Sequence, residues 1–290
     1  MLLHGNFEYF RPETVKEAIE LAQSRGETAA FLAGGTDLVL EMKREQRSPA
    51  AIIDITRVPE LHVLEVADGY LRIGTAVTFA AIASSDLIRQ YAPALTQAAA
   101  EVGSPQIRSV GTLGGNVATA SAGGDSLPAL VAYECGIVIC GPAGARNDTV
   151  ASFLQNRAAA LWPGELIREI RVPVSNGRQD GAFIKLGRRN ALAVARISAA
   201  LAFRWAPGGS IEAARLVLGA VAPAPLRVSE AERLIEDAGV GAQVRMKVAD
   251  LTAAAVARSI PGRSSAPYKR RAVRSLVFET MEKVNLGRSD

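Results

Sequence analysis

The first 55 residues alternate helix and strand around a glycine-paired turn, a pattern that fits α/β packing. Val15, Ala18, Ile19 and Ala22 recur at helical spacing within Glu13–Arg25, with Pro12 before the run and Gly26 after it. Ala29-Ala30-Phe31-Leu32 reads as a short buried strand. It runs into Ala33-Gly34-Gly35-Thr36-Asp37, and a second helix begins at Leu38 and extends to Glu45. Ala51-Ile52-Ile53-Asp54-Ile55 is a further strand.

Beyond residue 56 the pattern changes. Val63–Val66 and Tyr70–Gly74 are strands around Asp68-Gly69, a dipeptide suited to a tight hairpin turn. Helices are expected at Phe79–Ala83, Pro93–Glu101 and Leu127–Tyr133, and strands at Gly136–Cys140 and Glu165–Val172. In the last strand Leu166, Ile170 and Val172 are expected on one face and Ile167 on the other. The glycine-rich passage Gly103–Gly124 carries little helix or strand signal. Pro173–Asp180, with Asn176-Gly177, is polar and reads as a domain boundary. Three long strands follow (Gly181–Leu186, Ala193–Trp205, Ile211–Val221), then three helices (Glu230–Asp237, Gln243–Ser259, Ala266–Val284). The expected domains are 1–176, with subdomains of about 1–56 and 57–176, and 177–290.

Composition excludes several classes. Two cysteines, Cys135 and Cys140, cannot supply the four thiolates of an iron–sulfur cluster, and they read as core thiols. Two histidines, His4 and His62, make a histidine-rich metal site implausible. Thirty-three Lys and Arg against 29 Asp and Glu leave +4, a weak field over 290 residues that does not argue for nucleic acid. The N-terminus lacks the basic start and apolar core of a signal peptide, and no apolar stretch is long enough to span a bilayer, so a cytoplasmic protein is expected. Lys43-Arg44 and Lys269-Arg270-Arg271 read as solvated helix faces.

Two turns carry the chemical signal. In Ala33-Gly34-Gly35-Thr36-Asp37-Leu38 the paired glycines let the backbone approach a ligand and present its N–H groups, and phosphate is the usual guest of such a turn before a helix. Thr36 can cap the helix or bond a phosphate; a plain strand-to-helix turn is the competing reading. Gly111-Thr112-Leu113-Gly114-Gly115-Asn116 resembles a second backbone nest, with a flexible loop as its alternative. Together, two uncharged cradles suit the two phosphates of a dinucleotide. Neither is a P-loop, since no Lys follows the glycines, and no G-x-G-x-x-G is present.

These turns, with Gln106-Ile107-Arg108-Ser109-Val110 leading into the second and Asp125 after it, resemble the flavin subunits of the molybdenum hydroxylases over nearly the whole chain. That family includes xanthine dehydrogenases, carbon monoxide dehydrogenase and the quinoline and nicotine hydroxylases. Gly219-Ala220-Val221-Ala222-Pro223-Ala224-Pro225-Leu226-Arg227 and Arg263-Ser264-Ser265-Ala266 look most like the bacterial three-subunit xanthine dehydrogenases.

The resemblance implies an α+β fold: a vanillyl-alcohol-oxidase (PCMH)-type FAD-binding domain of two α/β subdomains, then a three-stranded antiparallel sheet with a three-helix bundle covering the flavin. It implies that Leu32, Ala33, Gly34, Gly35, Thr36, Asp37 and Leu38 cradle the FAD pyrophosphate, with Thr112, Gly114, Gly115 and Asn116 on the cofactor's other side. Asp125 would bond the adenosine ribose region, although it can equally be the N-cap of the helix at Leu127. Ile167 would lie against adenine or ribose, or be plain core. Lys185 would reach the flavin ring, where a positive charge favours the reduced anionic flavin, or be a solvated strand residue. Val102 stands where some relatives place an aromatic near the flavin, and Arg188-Arg189 reads as a surface pair or as part of an acceptor site for NAD. No residue of this chain is expected to be catalytic and none to bind a metal.

The implied role is relay. Substrate would be hydroxylated at a molybdenum cofactor on a large subunit, and electrons would pass through a small subunit with two [2Fe-2S] clusters. FAD here would take them singly and hand them on in pairs, to NAD or another acceptor. The rivals are a stand-alone flavin enzyme, an assembly subunit without its cofactor, and a nucleotide-binding module with no redox role.

Overall fold

The computed structural model describes residues 6–156, 161–174, 178–189 and 192–286. Strands β1 (Glu8–Phe10), β2 (Ala29–Leu32) and β3 (Ala51–Asp54) form a parallel sheet in the order β1-β3-β2. Helix α1 (Val15–Arg25) crosses from β1 to β2. Thr14 starts it by accepting the Glu17 N–H at 3.1 Å, and Gly26, at φ 68°, ends it. Helix α2 (Leu38–Lys43) follows β2, so the first glycine turn sits at the carboxyl end of the parallel strands. That end is where open α/β sheets place ligands.

The second sheet is antiparallel between neighbours, ordered β4-β5-β8-β6-β7. Its strands are β4 (Leu64–Ala67), β5 (Tyr70–Gly74), β6 (Gly136–Gly141), β7 (Gly144–Thr149) and β8 (Leu166–Pro173). Asp68 (φ 52°) and Gly69 (φ 77°) both take the left-handed conformation, as the expected hairpin turn requires. One face packs on helices α3 (Phe79–Ser84), α4 (Asp86–Tyr91), α5 (Pro93–Ala100), α7 (Leu113–Thr119), α8 (Ser126–Ala132) and α9 (Val150–Gln155), with α6 (Pro105–Val110) lying outside against α3. The other face, through Val138, Cys140 and Leu166, meets α1 and the end of β3. Cys135 and Cys140 are both buried and free, as expected of core thiols.

Strand β8 departs from the expected alternation. The register with β6 jumps from Val138↔Glu169 to Ile139↔Ile167, leaving Arg168 as the extra residue of a bulge. Ile167 therefore turns to the same side as Ile170 and Val172, and Leu166 to the other. Gly103–Gly124 also differs from its reading. It holds α6 and α7, each capped by a hydroxyl: Ser104 accepts the Ile107 N–H and Thr112 the Gly115 N–H.

The third sheet has four strands, not the expected three: β9 (Gln179–Leu186), β10 (Ile197–Trp205), β11 (Ile211–Gly219) and β12 (Leu226–Arg227), ordered β12-β11-β10-β9. The two-residue β12 has no hydrophobic period to betray it. One face, with Phe183, Ala200, Ala202 and Val217, joins the core of α5 and α8. The other packs on α10 (Ser229–Ala238), α11 (Ala242–Ser259) and α12 (Ala266–Leu286). Burial on both faces explains the nearly unbroken apolar run of β10. The boundary expected at 176 and 177 lies outside the described residues.

Candidate FAD site

The two glycine turns meet. A Cβ built on Gly34 would lie 2.0 Å from the carbonyl oxygen of Val110 and 2.9 Å from the Gly111 Cα, so the backbones touch where no side chain fits. Thr119 at the end of α7 donates to Asp37 at 3.2 Å, a second tie between them. Leu32 and Leu38 anchor the first turn in a small cluster with Ala30, Met42 and Ile52, and Ala33 packs toward α1 and β3.

The turns differ in what they leave open. Among the described residues, the N–H groups of Gly34, Gly35, Thr36 and Asp37 donate to no protein acceptor. Asp37 occupies the N-cap position of α2 without a side-chain cap bond. Thr36 does not cap the helix either, so its hydroxyl is open. Gly35, at φ 67°, holds the turn in a conformation other residues resist.

The second turn is no open nest. Gly111 donates to Ile107, Leu113 to Val77, Gly114 to Thr75, Gly115 to the Thr112 hydroxyl and Asn116 to the Thr112 carbonyl. Gly114 is small because a Cβ there would fall 1.4 Å from Thr75 Oγ1. Its backbone is consumed in packing α7 against the chain after β5, and only side chains such as Asn116 remain to face a ligand. Asn116 Oδ1 accepts from Ser126 at 2.7 Å, which leads to Asp125.

Asp125 does not cap α8: its backbone is helical and its carboxylate makes no cap bond. Instead Oδ2 accepts from Lys185 Nζ at 2.7 Å, and Lys185 also donates to the Glu101 carbonyl at 2.5 Å. Both side chains are nearly enclosed, 7% exposed for Lys185 and 8% for Asp125. The second carboxylate oxygen, Oδ1, is buried with no partner. Burial pushes the Asp125 carboxyl up to about 6, Glu101 adds to this, and the bond and charge of Lys185 pull against it. Because Lys185 is paired, its charge is partly offset within the chain, which weakens the expected pull on a flavin.

Val102, half-buried, packs on the central core, and its carbonyl accepts from Arg108 at 3.0 Å. Arg108 also holds the Gly103 carbonyl. Ile167 is buried in that core. Arg189 donates twice to the Leu192 carbonyl and so pins its own loop. Sequence reasoning missed Thr75, Ser126 and Glu101, each a single polar residue without a motif, and gave no role to Arg108 although it lies in the segment leading into the second turn.

An orphaned carboxylate oxygen, four unpaired amides and a turn too tight for any Cβ fit a polyhydroxylated dinucleotide. The comparisons agree. Residues 5–175 match the family "FAD binding domain in molybdopterin dehydrogenase", and 182–284 match "CO dehydrogenase flavoprotein C-terminal domain". The chain belongs to the FAD-binding medium subunits of the molybdenum hydroxylases. It is 33% identical to the nicotinate dehydrogenase FAD-subunit of Eubacterium barkeri, covering 85% of this chain and 84% of the relative. It is 28% identical to the xanthine dehydrogenase FAD-binding subunit of Escherichia coli O157:H7, covering 92% of each. The solved carbon monoxide dehydrogenase of Hydrogenophaga pseudoflava has a chain that superposes with a TM-score of 0.88 at 29% identity, over 99% of each. FAD is therefore the cofactor of this subunit, an oxidoreductase component. Among the described residues no helix is long and apolar enough to cross a membrane.

Proposed function

We propose that this chain relays electrons: it receives them from the iron–sulfur clusters of a small subunit, paired with a molybdenum-bearing large subunit, and passes them through FAD to NAD. The reading is carried by one observation, the contact of the two glycine turns, with the amides of Gly34–Asp37 left open there. In this reading the open amides and the Thr36 hydroxyl hold the pyrophosphate, Asn116 borders it, and Asp125 Oδ1 accepts a hydroxyl of the cofactor's sugar chain. Lys185 positions Asp125 by holding its other oxygen. Val102 and Ile167 support the site from the core side. Bound flavin supplies the ability to exchange electrons singly on one side and in pairs on the other; the chain supplies position and field.

The two cysteines are buried core residues, which supports placing the clusters on a partner. Relatives named for nicotinate, xanthine and carbon monoxide all resemble this chain, which supports placing substrate choice on the large subunit. A purine of the xanthine class is the proposed substrate of the assembly, and the cytoplasm its proposed compartment. The domain limits proposed are 1–176 and 177–290. Anaerobic titration of the purified assembly with xanthine tests the reading. Flavin absorbance should bleach with xanthine and return on adding NAD. Bleaching without recovery would move the acceptor elsewhere, and no bleaching would remove the purine.

A further inference from the structure

Lys269, expected on a solvated face, is half-buried and turned inward, its ammonium donating to the carbonyl of Ala220. Arg196 lies over the ring of the adjacent Tyr268, its guanidinium carbon 5.3 Å from the centroid. The turn that starts α12 brings in a third cation: Arg263 accepts the Ala266 N–H, and Ser265 accepts that of Lys269. Burial holds the Lys269 ammonium below its ordinary pKa, and Arg263 and Arg196 add to the effect. No acidic group is among its causes. Among the described residues, none of the three cations has an acidic partner. Elsewhere on α12 the chain does neutralise a charge: Arg274 is paired with Asp250 at 2.5 Å.

Like charges gathered without a counter-ion cost stability, more so where water is partly excluded. Such a cluster is relieved by an anion from outside. Its place matters too. Ala220, whose carbonyl Lys269 holds, donates its N–H to Ala122, in the turn just after α7. That turn follows Thr119, which is bonded to Asp37 of the first glycine turn. Three hydrogen bonds, with residues 119–122 between the last two, therefore link Lys269 to the candidate FAD cradle.

We propose that Arg196, Arg263 and Lys269 form an anion site for the diphosphate group of a nucleotide, separate from the amides of Gly34–Asp37. The ligand is a second nucleotide, such as the dinucleotide acceptor of the relay reading on which this source rests, since the cofactor's own diphosphate is assigned to those amides. Planar guanidinium groups and a lysine suit phosphate oxygens, the former in two-point contacts.

Calorimetric titration of the full-length chain with inorganic pyrophosphate, with FAD bound and after its removal, tests this. The expected result is saturable binding that weakens about tenfold in Arg263→Gln and about a hundredfold in Arg196→Gln/Arg263→Gln. Arg274→Gln, which removes one positive charge from α12, should change it less than twofold. Arg263 is exposed, so its variant should fold, as circular dichroism would check. Binding to the FAD-loaded chain assigns the site to a second nucleotide. Binding only to the FAD-free chain, unchanged in Arg263→Gln, places the pyrophosphate on the Gly34–Asp37 amides and overturns the site. Absence of binding in both forms, or equal weakening by Arg274→Gln, overturns it. Because pyrophosphate needs no electron transfer, failure of the relay reading would leave this result untouched.

Discussion

Asp125 holds its proton more tightly in the folded chain than in the unfolded one, because burial outweighs the opposing bond and charge of Lys185. Its carboxyl rises from 3.8 to about 6. Between those values the folded state binds more protons than the unfolded state, so this residue's contribution is full below pH 4 and is lost as pH rises through 6. The loss is worth about 3 kcal/mol. Denaturant unfolding of the FAD-free chain from pH 4 to pH 7 measures it. Wild-type stability minus that of Asp125→Asn should fall by about that amount, and Lys185→Met should move the step to higher pH, since Lys185 pulls the carboxyl down. A difference independent of pH would show that Asp125 is not enclosed. The glycines of the first turn were legible as a close backbone approach, and Asp125 and Lys185 as candidates. What could not be read was that they hold each other, because 60 residues separate them and neither lies in a pairing motif.

At the scale of elements, β8 shows how far a pattern carries. Its apolar residues marked a strand, but the bulge at Arg168 reverses the faces, and no residue type announces a bulge. The same strand holds Glu169, only 1% exposed, between Arg72 and Arg171 at 2.7 and 2.6 Å. Burial works against its charge, yet the bonds from Arg72 and Arg171 more than offset that and leave the carboxyl below its ordinary value. Glu169→Gln should destabilise the chain at pH 7 by about 2 kcal/mol, discounted for the partly exposed arginines, and should blunt the loss of stability as pH falls through the normal carboxylate range. Urea midpoints at pH 7 and pH 4 check both. An unchanged pH 7 midpoint would mean that the pairing is not maintained. Long helices such as α11 and α12 were legible from period alone. Helices α6 and α7 were not, because six or seven residues contain too few turns to show one, and their caps at Ser104 and Thr112 lie in a passage that glycine dominates.

Across the whole molecule the three sheets place every named site residue by long-range contacts. The first sheet supplies the open amides and the second presses its following turn against them. The third sheet closes over α5 and α8 and brings Lys185 to Asp125. The alternation in the first 55 residues foretold two of the first sheet's three strands, missing the three-residue β1, and the hairpin signals foretold much of the third. The order β4-β5-β8-β6-β7 could not be foretold, because its central strand comes last in the chain. The central claim is that FAD is seated where the two turns touch, and equilibrium binding of FAD to the purified chain, followed by flavin absorbance, tests it most directly. Wild type should take up one equivalent per chain. Gly34→Ala, which drives a Cβ to 2.0 Å from the Val110 carbonyl oxygen, should bind about a hundredfold more weakly, while Gly208→Ala, whose Cβ would meet nothing within 4 Å, should bind as wild type does. A folded Gly34→Ala chain with wild-type affinity for FAD would contradict the account.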